Sequence, residues 1–423
     1  MKSSKEEKVL KDIENLPRPL SILELCGFLL FSILVLYTRM PERFRGFLWA
    51  EDGPVFIQQA YEMGWQSIFY PYAGYLHLLP RLIAWIYSCI GNPKSIPLVF
   101  VWMTIIFSSF AMTYIGNVAS RYLPRLSAVA IAIIPLTVVN LGEVWLTITN
   151  LQWVLTPLLA VLLWEMIYEN GKKAFFESIA ILVLMITGPF GLLLGGFAIV
   201  VMLFRRIKNN TAPNKCLFYS FLGGFLVQGS AILLCPKHLN GTTNWNLSTV
   251  DWTQTVGSFM LTDFMGITDI DFDSSSSQMF FSLTLIAALL FFAMTAKKPW
   301  KSLSLVLISI ASLFLVLGMI RLNPLTLALR SRYTYLPTIF ASWGLIISMA
   351  CARKRWIQTI ALLLIGSIFL NNALALRCVK FRRVKMKNVS DEKYFARIPP
   401  DEGWNITLDT HPIQHDSLHL DQK

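Results

Sequence analysis

FESIAILVLMITGPFGLLLGGFAIVVMLF, residues 176–204, carries one charged side chain, Glu177, and one interruption, at Gly188, Pro189 and Gly191. One bilayer crossing takes about 20 mostly apolar residues, so the run is long for a single span. Proline removes a backbone donor and kinks a helix. The stretch therefore reads as two short helices joined near a membrane surface. Its flanks fit that reading: Lys172 and Lys173 precede it, and Arg205, Arg206 and Lys208 follow it. Two crossings return both basic flanks to one side, and basic loops favour the cytoplasm.

Outside that pair, residues 19–38, 96–118, 126–140, 150–168, 216–235, 279–296, 302–320, 335–352 and 356–374 are further apolar candidates. Residues 76–90 (LHLLPRLIAWIYSCI) are apolar but carry His77, Pro80 and Arg81. They read as an amphipathic helix lying along the interface. The expected fold is an all-α polytopic membrane protein with about 11 transmembrane helices, counted by the bilayer-length criterion. Residues 1–18 form a cytoplasmic N-terminus, 19–374 the membrane domain and 375–423 a short tail. Residues 39–95 are then a first external loop with interfacial helices, and 236–278 an acidic external loop. Arg121 and Arg125, Lys297, Lys298 and Lys301, and Arg353, Lys354 and Arg355 all fall inside. Helix parity puts the tail outside, although it begins with Arg377, Lys380, Arg382, Arg383, Lys385 and Lys387. Its YFARIPP and WNITLDT stretches read as short strands.

Composition excludes other classes. Of 423 residues, 55% are hydrophobic and 15% charged, against about 25% charged in a soluble domain. The same deficit excludes disorder, and no short alternating segments suggest a β-barrel. The net charge of +12 belongs to basic loops; no basic stripe interleaved with aromatics points to nucleic acid. The six cysteines show no CxxC and no metal-ligand spacing. Asp269-Ile-Asp271-Phe-Asp273 starts like a calcium loop, but Ser274 and Phe280 stand where Gly and Glu belong. The expected site therefore has no metal ligand set.

The first loop carries the chemistry, in Trp49-Ala50-Glu51-Asp52-Gly53-Pro54-Val55-Phe56. Asp52 can cap a helix with Pro54 in its first turn, extending to Met63. Alternatively one carboxylate faces a cavity at the membrane surface and acts as a base. Trp49, Trp145 and Trp153 fit an aromatic belt. Glu24 and Glu165, near helix ends, snorkel or pair.

An acidic pair just after the first helix, in a large external loop, resembles the C-type glycosyltransferase superfamily (GT-C). That superfamily includes the protein O-mannosyltransferases and the lipid A aminoarabinose transferases. GPVFIQQAYEMG resembles its first surface helix and PYAGYLHLLPRLIAWIY its second. IIPLTVVNLGEVWLTITNLQW resembles the second external loop, TGPFGLLLGG the glycine-proline helix break, and SRYTYLP the late external Arg-Tyr-x-x-Pro motif. The order of the pair, Glu51-Asp52, is the reverse of the family's usual one.

The resemblance implies an inverting transferase similar to O-antigen-modifying glucosyltransferases, in a bacterial cytoplasmic membrane with its site on the outer face. It would move a sugar such as glucose from undecaprenyl phosphate to a lipid-linked or envelope glycan, among membrane lipid. Asp52 and Glu51 are the expected catalytic pair, with Asp52 as the base and Glu51 orienting the acceptor or a divalent metal; the reversed order of the pair leaves the opposite assignment open. Arg332, Arg330 and Arg81 are expected to bind the donor phosphate, because a guanidinium forks onto phosphate and keeps its charge. Glu143, Asn150, Gln152, His77 and Tyr333 are the expected substrate-binding residues. No cofactor is required by this chemistry. Two rival readings are a transporter or flippase, which would show matched helix breaks in two halves, and an O-antigen polymerase, which would not need the acidic pair.

Overall fold

The computed structural model describes residues 18–39, 46–138, 144–168, 175–209, 213–235, 256, 259–264, 275–297, 300–321, 332–352, 354–374, 384–390, 393–398 and 405–409. Among these the chain is all-α apart from one small sheet. The helices are α1 (Ile22–Arg39), α2 (Gln58–Met63), α3 (Leu78–Ile90), α4 (Ile96–Ser120), α5 (Arg125–Thr137), α6 (Leu151–Tyr168), α7 (Phe175–Ile186), α8 (Phe190–Asn209), α9 (Lys215–Leu234), α10 (Ser275–Thr295), α11 (Trp300–Arg321), α12 (Arg332–Ala350) and α13 (Arg355–Leu374). Each apolar run expected to cross the bilayer forms a helix. The 176–204 run divides at Thr187–Pro189 into α7 and α8, as its Gly-Pro break predicts.

Five of these helices are long and apolar enough to cross a membrane: Pro93–Ser120, Leu151–Tyr168, Phe190–Ile207, Lys215–Leu234 and Trp300–Gly318. Their outer faces are apolar too. On α8 and α9, Val200, Leu203, Phe204, Leu226, Leu233 and Leu234 are exposed. A soluble helix turns that stripe inward; here hydrocarbon is the solvent, and the chain is a membrane protein.

The proline inside α5 is compensated by a neighbouring helix. Pro135 in α5 has no N–H to give the Ile131 carbonyl. The Trp343 indole of α12 donates to that carbonyl at 2.8 Å, and the Tyr335 hydroxyl donates to the Pro135 carbonyl at 3.0 Å. In a bilayer core, backbone groups must find such partners within the protein.

The two ends of the bundle differ. At one end Arg125 pairs with Glu24, and Arg121 with Glu165 at 2.9 Å. There Asn214 N–H reaches the Met166 carbonyl at 3.0 Å, and Arg205 lies 4.1 Å from the Tyr168 ring. The Tyr122 and Trp300 rings, 6.4 Å apart, join the α10–α11 turn to the same end. Glu24 and Glu165 thus pair, as their places near helix ends suggested.

The opposite end carries the first loop, residues 144–150, the α7–α8 break, the start of α12 and the tail. The tail is a three-stranded antiparallel sheet in order β1 (Lys387–Ser390), β2 (Lys393–Ala396), β3 (Ile406–Asp409). It contains both stretches that read as strands. Ala396, Ile398, Ile406 and Leu408 are buried, and Val384 N–H donates to the Gly46 carbonyl at 3.2 Å. The tail therefore shares an end with the first loop, as helix parity requires and its basic start does not suggest.

Candidate functional site

The turn after α1 is held from several directions. Ala50 has a positive φ of 37°. Ala50–Asp52 form a 3-10 turn and Gly53–Ile57 a π-helical turn, which runs into α2. The helical stretch predicted from Pro54 to Met63 is therefore present, with a π turn at its start.

Asp52 is wholly buried. Its Oδ2 accepts the Trp49 N–H at 3.0 Å; its Oδ1 accepts the Thr149 N–H at 2.9 Å and the Thr149 hydroxyl at 2.6 Å. Burial outweighs these three bonds and pushes the carboxyl up to about 7. Both of its oxygens are thus taken by donors of the protein itself.

Glu51 differs in each respect. It is half-buried, and Oε1 accepts the Tyr72 hydroxyl at 3.4 Å. Its Oε2 is buried and has no hydrogen-bond partner among the described residues. Tyr72 and Tyr75 face each other across a two-residue hairpin, exchanging N–H···O bonds of 3.0 and 3.2 Å. The turn between them has positive φ at Ala73 (52°) and Gly74 (85°), the handedness that suits a tight hairpin. Burial is the main cause raising the pKa of both tyrosines, with the Glu51 charge adding to it. They therefore stay protonated as hydroxyl donors.

Arg332, the first residue of α12, is half-buried and lies 5.4 Å from the Tyr333 ring. Its charge acts on both Tyr72 and Tyr75, and Tyr75 also bonds the side chain of Gln152. Gln152 packs over Gly188 in the α7–α8 break, where an added Cβ would come within 2.4 Å of its Oε1. Asn150 donates to the Thr147 hydroxyl at 3.1 Å, shaping the loop that presents Thr149.

His77 is buried among Phe56, Tyr72 and Tyr75, with ring centroids 5.5, 5.8 and 4.4 Å away. Burial, helped by Arg81, lowers it to about 3. It is thus a neutral wall rather than a proton acceptor at neutral pH. Arg81 is 1% exposed and lies 5.4 Å from the Phe56 ring. Its Nη1 donates to Gln59 Oε1 at 3.0 Å, while Nε and Nη2 have no hydrogen-bond partner among the described residues. Burial lowers it to about 10, so it keeps its charge at neutral pH.

Eight expected site residues thus lie at one end of the bundle: Glu51, Asp52, His77, Arg81, Asn150, Gln152, Arg332 and Tyr333. Glu143 and Arg330 lie outside the described residues, as does the Asp269–Asp273 run. Among the described residues no group of three His, Cys, Asp or Glu could hold a metal ion. Trp145 and Trp153 do not join a belt, whereas Trp49 is half-buried. Trp145 is 1% exposed and sits edge-on to Tyr335, and Trp153 is buried against Phe190 and Tyr333. Packing against neighbouring aromatics draws both inward.

Four residues of the site were not singled out from sequence. Thr149, Tyr72 and Tyr75 sit in loops where nothing local marks them. Gln228 did carry a signal, as the one amide in apolar α9. Its side chain accepts the Leu76 N–H and donates to the Leu76 carbonyl, both at 3.2 Å. Thr187 accepts the Leu79 N–H at 3.3 Å. Together they seat the start of α3 and the residues before it between α9 and the helix break.

Compared with protein-family models and with curated proteins, the chain finds no match in either.

Proposed function

We propose that the protein is a GT-C-type membrane glycosyltransferase, with eleven crossings and its site on the outer face. It moves a sugar from a polyprenyl phosphate to an envelope glycan such as O-antigen. The observation that carries this reading is Glu51 Oε2, a buried carboxylate oxygen with no hydrogen-bond partner among the described residues, on a side chain that holds the Tyr72 hydroxyl and whose charge, like that of Arg332, reaches Tyr72 and Tyr75. An unpaired buried acceptor is costly, and an acceptor hydroxyl would complete it. The basic residues Arg121, Arg125, Arg205 and Lys215 gather at the opposite end, which supports placing the site outside.

The roles within the acidic pair are exchanged from the sequence expectation. Glu51 is the base, because one of its oxygens has no hydrogen-bond partner among the described residues; Asp52 joins two loops, because its oxygens are taken. The glutamate accepts the proton of the acceptor hydroxyl as its oxygen attacks the anomeric carbon. The sugar–phosphate bond breaks on the other face, so the anomeric centre inverts. The leaving phosphate needs charge stabilisation more than a proton, and Arg332 supplies it, with Arg81 deeper, in α3. Tyr72, Tyr75 and Gln152 offer hydrogen bonds to sugar hydroxyls.

The test is mass spectrometry of envelope glycans with and without the gene, followed by transfer from a polyprenyl-phosphate sugar in proteoliposomes. A mass increment of one sugar that depends on the gene supports the reading; identical glycans and no transfer would refute it.

A further inference from the structure

We propose that the C-terminal sheet is a positioning element for the acidic turn: Ile398 and Ile406, closing over Gly53, hold Glu51 in place. This rests on the reading of Glu51 as the base. Residues 50–57 adopt a backbone that local sequence does not favour, with a positive φ at Ala50 followed by 3-10 and π turns. Such conformations persist only where the surroundings over-determine them. Two constraints come from Asp52, through Trp49 and Thr149. The tail supplies two others. Val384 N–H holds the Gly46 carbonyl at the entry to the turn. At its centre, a Cβ on Gly53 would lie 2.1 Å from Ile398 Cδ1 and 2.9 Å from Ile406 Cγ2.

The contact is closed: it leaves no room for a methyl group. Gly53 directly follows the acidic pair, so a shift of the sheet passes to Glu51 across two peptide bonds. Ile398 and Ile406 are buried to within 2%, and they act through Gly53 rather than on substrate. This also explains why a chain segment beyond the last apolar helix folds into strands with a buried apolar face.

The experiment compares full-length protein carrying Ile398→Ala with Ile406→Ala, and with the conservative Ile398→Val with Ile406→Val. It reads steady-state transfer and amide hydrogen exchange at residues 49–57. Misplacement of a catalytic group by about 1 Å costs on the order of 10²-fold. The alanine pair is expected to exchange faster at 49–57 and to lose kcat by roughly 10- to 100-fold at unchanged donor KM. The valine pair should recover most of both. If the alanine pair fails to accumulate in the membrane, the single Ile398→Ala carries the same comparison. Wild-type exchange at 49–57 would overturn the proposal, and so would faster exchange with an unchanged kcat. If the wild-type protein transfers no sugar, the function reading fails separately, and the exchange comparison still decides whether the tail holds the turn.

Discussion

Thr149 closes on one oxygen of Asp52 twice, through its N–H at 2.9 Å and its hydroxyl at 2.6 Å, across 97 residues of chain. That joint fixes the second loop to the turn after α1, and it leaves Glu51 as the carboxylate with an oxygen that has no hydrogen-bond partner among the described residues. Removing the hydroxyl should therefore weaken the fold. Thr149→Val keeps the backbone donor but leaves a buried carboxylate short of one bond, at a cost of about 1–3 kcal/mol. Thr149→Ser should restore most of it. Thermal unfolding in detergent reads both, and equal midpoints for Val and wild type would count against the joint.

The same carboxyl predicts a pH dependence. Asp52 rises from 3.8 to about 7 on burial, so the folded state binds its proton more readily than the unfolded chain. Its contribution to stability is therefore present at low pH and is lost as pH rises from about 4 through about 7. Asp52→Asn cannot ionise, and its amide nitrogen cannot accept the Trp49 N–H. The stability gap between wild type and Asp52→Asn should narrow as pH rises through this window. A gap that is constant or widens would contradict the assignment.

Gln228 holds Leu76 from both sides. Gln228→Leu keeps the volume but orphans a buried N–H and a buried carbonyl, each at about 1–3 kcal/mol. Limited proteolysis between Tyr70 and Leu79 should become faster than in wild type. An unchanged cleavage rate would mean that Thr187 alone seats this segment.

Arg332→Lys keeps the charge and loses the planar fork. If Arg332 holds the donor phosphate, losing one charge-assisted bond of about 1.5 kcal/mol should raise the donor KM roughly tenfold. The acceptor KM should stay near its wild-type value. A rise confined to the acceptor would move Arg332 to the other substrate.

Much of the helical frame was legible because hydrophobic run length is a local property. The 176–204 run announced both its helices and its break, and the tail strands showed as short β-rich stretches. The roles within the acidic pair were not legible. Both carboxylates sit in one tripeptide, and what separates them is Thr149, 97 residues away, and a tail sheet still further along the chain. Tyr72 and Tyr75 were hidden for a related reason: Ala73 adopts a positive φ more usual for Gly or Asn. Trp145 and Trp153 read as interfacial because nothing local shows which neighbours bury them.

In the proposed reaction Glu51, not Asp52, takes the proton. The most direct measurement is the rate of sugar transfer from a polyprenyl-phosphate donor by Glu51→Gln in proteoliposomes, with donor binding read alongside. The expected result is a loss of about 10²–10⁴-fold in kcat, with donor affinity and membrane yield at wild-type levels. Transfer by Glu51→Gln at the wild-type rate would contradict it.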